Sequence, residues 1–160
     1  MDDQWRQETQ PLVLEGGIHM PYSWTLGRAA SRFFIEIRDQ RRLLASPCEA
    51  CSEVWLPPRS VCPICFQPIP DGSWVEVGPE GVLQYFTVVR YEQPSLPFPP
   101  PVAYGVIRLD GATRSVTHVV STQTPETLRP GQRVRPVFEE ARQGSILDIA
   151  YFVPVEGEDS

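Results

Sequence analysis

The sequence predicts a mainly β protein with a small N-terminal helical part and a metal-binding ribbon between helix and strands. Three observations carry that prediction. One stretch around residue 30 has helical apolar spacing, and all four cysteines form two C-x2-C pairs between Cys48 and Cys65. The second half of the chain holds five or six strand-like segments separated by turn signals, with no helical pattern between most of them. The 160 residues make about one domain, and a 41% hydrophobic content is ordinary for a chain with a folded core.

Residues 1–22 have no clear period. Pro11, Gly16, Gly17 and Pro21 interrupt scattered apolar residues, which reads as an arm that packs on its own domain or on a partner. Residues 23–44 are the helical part. Leu26, Ala30, Phe33, Phe34 and Ile37 fall on one face, and Arg32/Glu36 is an i,i+4 ion pair. That face either enters the core or docks on another chain. Residues 45–72 form the cysteine ribbon, ending in the turn-rich Pro68, Pro70, Asp71 and Gly72.

Residues 73–154 read as strands at Trp74–Val77, Gly81–Arg90, Val102–Leu109, Arg114–Val120, Gln132–Phe138 and Ile146–Val153. Asp110-Gly111, Pro130-Gly131 and Gln143-Gly144 mark turns. In the last segment Leu147, Ile149, Tyr151 and Val153 share one face, opposite Asp148 and Ala150. Such a run of short strands closes into a small barrel or a sandwich. Gly105 marks either a bulge or close backbone approach, or a tolerated glycine. Residues 92–101 carry five prolines in eight positions, a stiff loop that covers a ligand mouth, meets a partner or simply connects. Residues 155–160 are an acidic, solvated tail.

Cys48, Cys51, Cys62 and Cys65 form two knuckles separated by ten residues. Each knuckle turns two thiolates toward one point, and two knuckles complete a tetrahedral four-sulfur shell. Soft thiolates select zinc or iron over hard cations, and four of them leave no open coordination position. Zinc is the expectation, although spacing alone leaves an iron site open. Two disulfides are not expected, because the acidic N-terminus lacks the apolar run of an export signal. A redox C-x-x-C would leave the second pair unexplained. The expected location is the cytoplasm, with no membrane association, since no apolar run approaches the roughly 20 residues of a span.

The net charge is −6, and every one of the 14 basic residues is arginine. This disfavours duplex nucleic acid, whose binders carry a basic excess. The acidic excess lies at the ends, because residues 20–155 hold 13 arginines and 13 acids. Residues 28–62 hold six arginines against four acids, a modest positive region suited to a few phosphates. Catalytic groups are scarce. No cysteine is spare, and His19 and His118 have no evident partners. Glu139-Glu140 reads as a solvated strand end, and no nucleophile-elbow, phosphate-loop or zinc-protease motif is present.

The run RLLASPCEACSEVWLPPRSVCPIC after a helix, followed by GVLQYFTVVRY and RPGQRVRPVF, resembles the DUF35 family over roughly residues 24–153. Ser52 and Phe66 stand where that family often has glycine after a knuckle. The resemblance implies a rubredoxin-like zinc ribbon followed by a five-stranded OB-fold barrel. It also implies a non-catalytic subunit that binds acyl-CoA and serves a thiolase-like partner in a hetero-oligomer, handling a bulky aromatic or steroid-type acyl chain by thiolytic, acyl-transfer or retro-aldol chemistry. On that reading Arg41, Arg42 and Arg59 are candidates for the phosphates of CoA, and Trp55 and Phe66 for its adenine. Tyr22, Trp24, Phe33, Phe34 and Phe98 are candidates for the partner interface. The rival readings are a single-stranded nucleic-acid module stacking bases on Tyr85, Phe86 and Tyr91, and an independent redox or catalytic protein.

Overall fold

The computed structural model describes residues 10, 12–18, 20–92, 94, 96, 98–122 and 124–155. Most of the acidic tail, His19 and most of the first ten residues lie outside that range. One helix, α1 (Gly27–Gln40), precedes eight strands. These are β1 (Leu43–Cys48), β2 (Glu53–Trp55), β3 (Val75–Val77), β4 (Gly81–Val89), β5 (Val102–Leu109), β6 (Val116–Val120), β7 (Arg133–Phe138) and β8 (Ile149–Pro154). No helix among the described residues is long and apolar enough to cross a membrane.

The helix stops at Gln40, short of the 23–44 stretch read as its helical part. Arg41 adopts the left-handed conformation (φ 55°), and its N–H closes on the Ile37 carbonyl at 3.1 Å. This αL cap turns the chain so that Leu43 and Leu44 begin a strand instead of a further helical turn. β1 is the centre of a three-stranded antiparallel sheet in the order β2-β1-β3. The segment at residue 75, read as the first barrel strand, therefore belongs to the ribbon's sheet, pairing Leu43 with Val77 and Ala45 with Val75.

The other five strands close into a barrel in the order β4-β5-β6-β8-β7, antiparallel except for the β6–β8 contact. This is the Greek-key barrel of the OB-fold. The register explains two glycines. A Cβ on Gly105 would lie 2.6 Å from Leu83 Cδ1 and 2.7 Å from Val120 Cγ2, so this glycine lets the barrel interior close. The bulge lies instead on β4, between Leu83 and Tyr85. At Gly81 a Cβ would lie 2.5 Å from the Arg108 carbonyl oxygen, on neighbouring backbone.

The last strand differs in phase from its sequence reading. A short 3-10 turn, Ile146–Asp148, takes Leu147 and Asp148 out of the strand, and a register shift that leaves Ala150 unpaired breaks the alternation inside β8. Ile149 and Phe152 join the core and Ala150 is buried, whereas Leu147 is 49% exposed. Asp148 is buried, its carboxylate accepting the N–H groups of Gln143 (3.0 Å) and Gly144 (2.7 Å). Hydrogen bonds from those backbone donors outweigh the cost of burial and hold it below the usual carboxylate range. His118 is a packed side chain, edge-on to Phe152 with its Nε2 3.3 Å from the Ile146 carbonyl, and burial keeps its imidazole below the ordinary value.

Helix, ribbon and barrel share one core. Phe33 and Ile37 of α1, Leu43 and Ala45 of β1, and Leu83 and Phe152 of the barrel belong to one apolar cluster. Polar bonds reinforce the junctions. Arg142 of the β7–β8 loop donates to the Arg38 carbonyl at 2.6 Å, tying barrel to helix. Thr113 of the β5–β6 turn bonds the Val54 backbone and the Glu53 carboxylate, tying barrel to ribbon.

Candidate metal centre and ligand surface

The two knuckles meet as the spacing predicts. The four Sγ atoms of Cys48, Cys51, Cys62 and Cys65 all lie within 4.8 Å of one another. Two close pairs run between knuckles, Cys48–Cys65 at 3.4 Å and Cys51–Cys62 at 3.5 Å. A tetrahedral zinc–thiolate site places its sulfurs about 3.8 Å apart, so the cluster fits a soft metal ion with four ligands. Ile69 and Trp55 pack around it.

Backbone geometry favours the thiolate at one position, Cys62. Burial opposes charge on Cys62, but the N–H groups of Cys65 and Ile64 bond its sulfur and bring the thiol down to about 6. Burial and the neighbouring thiols push Cys51 up to about 12, so the metal-free cluster does not carry four thiolates at neutral pH. A metal ion would supply the compensating charge and lock the ribbon.

The residue after each knuckle, Ser52 and Phe66, has φ +57°. This left-handed conformation is the one glycine adopts without strain. Phe66 is nonetheless 76% exposed, so the fold gains little burial from its ring. Phe66→Gly is expected to stabilise the chain by about 1 kcal/mol with metal content unchanged. A urea melt checks this, and a lower midpoint would mean that the ring packs in the native state.

The structure separates the other candidate residues. Arg41 and Arg59 are exposed, and Arg59 is anchored by its backbone N–H to the Ser46 hydroxyl at 2.7 Å. These two sit toward opposite ends of β1, roughly 15 Å apart along the strand direction. Arg42 is engaged by Glu36 at 2.6 Å and by Glu76. Trp55 is half-buried with its ring face taken by the Arg114 guanidinium, 4.9 Å from the centroid. Arg114 also pairs with Glu53 at 2.8 Å. Trp55 thus packs on the ribbon with one ring face taken by a barrel arginine. The local arginine excess is likewise reduced, because Asp71 pairs with Arg28 and Glu76 with Arg42 from outside the 28–62 window.

Of the interface candidates, Phe33 is 2% exposed and Phe34 packs against the core, so the apolar face of α1 is spent inside the chain. Tyr22 and Trp24 are exposed. Phe98 of the proline loop lines a cleft of about 160 Å³ with Val102, Val119, Pro125 and Tyr151. Ligand pockets for drug-sized molecules run from about 300 Å³ upward, so this cleft does not enclose a bulky acyl chain unaided. Sequence reasoning missed Thr113, Arg114 and Arg142, whose partners lie 59 to 104 residues away. The one signal for them is the all-arginine basic set, suited to forked contacts.

Residues 74–139 match the family model of the ChsH2 C-terminal OB-fold domain. A protein of Thermomonospora curvata named as a probable enoyl-CoA hydratase alpha subunit is 31% identical over 105 residues, which is 64% of this chain. The match takes up 31% of that protein, so this chain spans less than a third of it. Among solved structures, the Ltp2-ChsH2(DUF35) aldolase is similar with a TM-score of 0.60 and 21% identity, covering 82% of this chain and 98% of that one. A DUF35-family protein of unknown function from Sulfolobus solfataricus is similar with a TM-score of 0.56 and 21% identity, covering 69% of this chain and 78% of that one. Residues 74–139 are thus similar to the ChsH2 C-terminal OB-fold domain, and ribbon and barrel together share the fold of the DUF35 structures.

Proposed function

We propose that this protein is a non-catalytic subunit that holds a structural zinc ion, binds acyl-CoA and completes a thiolase-like catalytic chain acting on a bulky acyl-CoA. The observation that carries the reading is a ChsH2-type OB barrel in a chain whose four thiols converge on one closed shell. Such a shell leaves no cysteine for covalent catalysis, and the buried His118 faces Phe152 instead of a nucleophile. The names of the aldolase and hydratase relatives support an acyl-CoA partner enzyme. The small cleft at Phe98 supports a ligand site completed by a second chain. On the ribbon, Arg59 and Phe66 remain exposed for the phosphates and adenine of CoA, with Arg41 at the far end of β1.

Tyr85 and Tyr91 are exposed on and beside β4, which favours the nucleic-acid module as the second reading, while Phe86 is partly buried against the core. Calorimetry with CoA and with a single-stranded oligonucleotide, each at two salt concentrations, separates the two. The proposal expects CoA to bind and Phe66→Gly to weaken it fivefold or more, the loss of one base–aromatic stack. Oligonucleotide binding with a steep salt slope and no CoA binding would overturn it.

A further inference from the structure

The segment before α1 runs clear of the body. From Leu12 to Leu26 the described residues have no helix or strand, and a Cβ on Gly16 or Gly17 would meet nothing within 4 Å. Eight large apolar residues in this stretch are exposed by half or more, with Leu14 at 92% and Ile18 at 89%. Tyr22 and Trp24 stack on each other with ring centroids 5.2 Å apart. Glu15 is the segment's one formally charged side chain at neutral pH among the described residues.

We infer that Leu12–Leu26 is a docking arm that lies extended in an apolar, uncharged groove of a different protein chain, the catalytic subunit proposed above, on which reading the inference rests. The area argues for an interface. Eight such side chains leave on the order of 1,000 Å² uncovered, above the roughly 800 Å² per partner of a standard specific interface. The body of this chain has no matching receptor at the arm's root. The cleft there, between Arg28, Arg32, Ile35 and Trp74, holds about 420 Å³. A cavity of about 150 Å³ takes one benzene-sized group, so this cleft takes about three of the eight side chains. Its rim is also charged, with Arg28 paired to Asp71 and Arg32 stacked on Trp74. A second copy presents the same surface and meets the same limit. Pro11 precedes the segment and Pro21 interrupts it, which keeps it from growing into a long strand, so the groove must accept an extended chain and satisfy its backbone donors.

The test is coexpression of the full chain with a thiolase-superfamily catalytic chain, followed by amide hydrogen exchange of residues 12–26, free and in complex. The doubly substituted chain carrying Tyr22→Ser and Trp24→Ser is run in parallel, its metal content checked against the parent. Protection of the arm only in the complex, with binding weakened at least tenfold by the double substitution, is the expected result. A complex that forms with the arm still exchanging freely and an unchanged dissociation constant overturns the docking arm while leaving the subunit role standing. Protection that rises with this chain's own concentration assigns the arm to a second copy and overturns the inference. Absence of any complex overturns the arm and the proposed function together.

Discussion

Cys62→Ser is expected to lower the metal content from one ion per chain to near zero and to leave the ribbon unfolded or the protein insoluble. Cys62 is fully buried, and the N–H groups of Cys65 and Ile64 stabilise its thiolate. A serine hydroxyl at that position remains protonated and offers a poor ligand to a soft ion. Structural zinc sites bind with about 10 kcal/mol or more, which is of the order of a whole domain's stability. Around the four sulfurs the apolar cluster has only three buried residues, Cys48, Cys62 and Ile69, so the knuckle end of the ribbon depends on the metal. Metal analysis of the soluble fraction, with chelator-treated parent protein as reference, checks the expectation. A Cys62→Ser chain that retains one equivalent would show that the four sulfurs do not act as one shell.

Gly81→Ala is expected to cost roughly 3 kcal/mol, the upper end for overpacking. The new methyl would stand 2.5 Å from the Arg108 carbonyl oxygen and 2.7 Å from Leu109 Cα, both backbone atoms of the paired strand. Gly81 also pairs with Val134, so β4 cannot shift without loosening β7 at the barrel's closure. The urea midpoint should fall by roughly 1–3 M, given m-values of about 1–3 kcal/mol/M. Gly72→Ala is the control, because nothing lies within 4 Å of its Cβ position. Equal midpoints for the two substitutions would contradict the close approach.

These two sites show where sequence reading succeeds and where it stops. The thiol shell was legible because metal coordination imposes local spacing, and the C-x2-C pairs encode it directly. The barrel strands were legible from alternation and turn glycines. The allegiance of Val75–Val77 to the ribbon sheet was not, because strand pairing is a choice among distant partners. The phase of β8 was misread because a 3-10 turn at Ile146–Asp148 shortens the strand and a register shift at Ala150 interrupts it, both invisible to a period-two count. Phe33 and Ile37 occupy the same helix face in either reading of α1, and only the packed structure shows that this face is consumed internally. The arginines of residues 28–62 looked like a positive patch because their acidic partners, Asp71 and Glu76, enter from another segment.

The native mass of the coexpressed pair tests the central claim most directly. The account predicts one species containing this chain and a thiolase-like chain in equal numbers, with one metal ion per ribbon. This chain alone at its own mass, beside an unassociated catalytic chain, would contradict it.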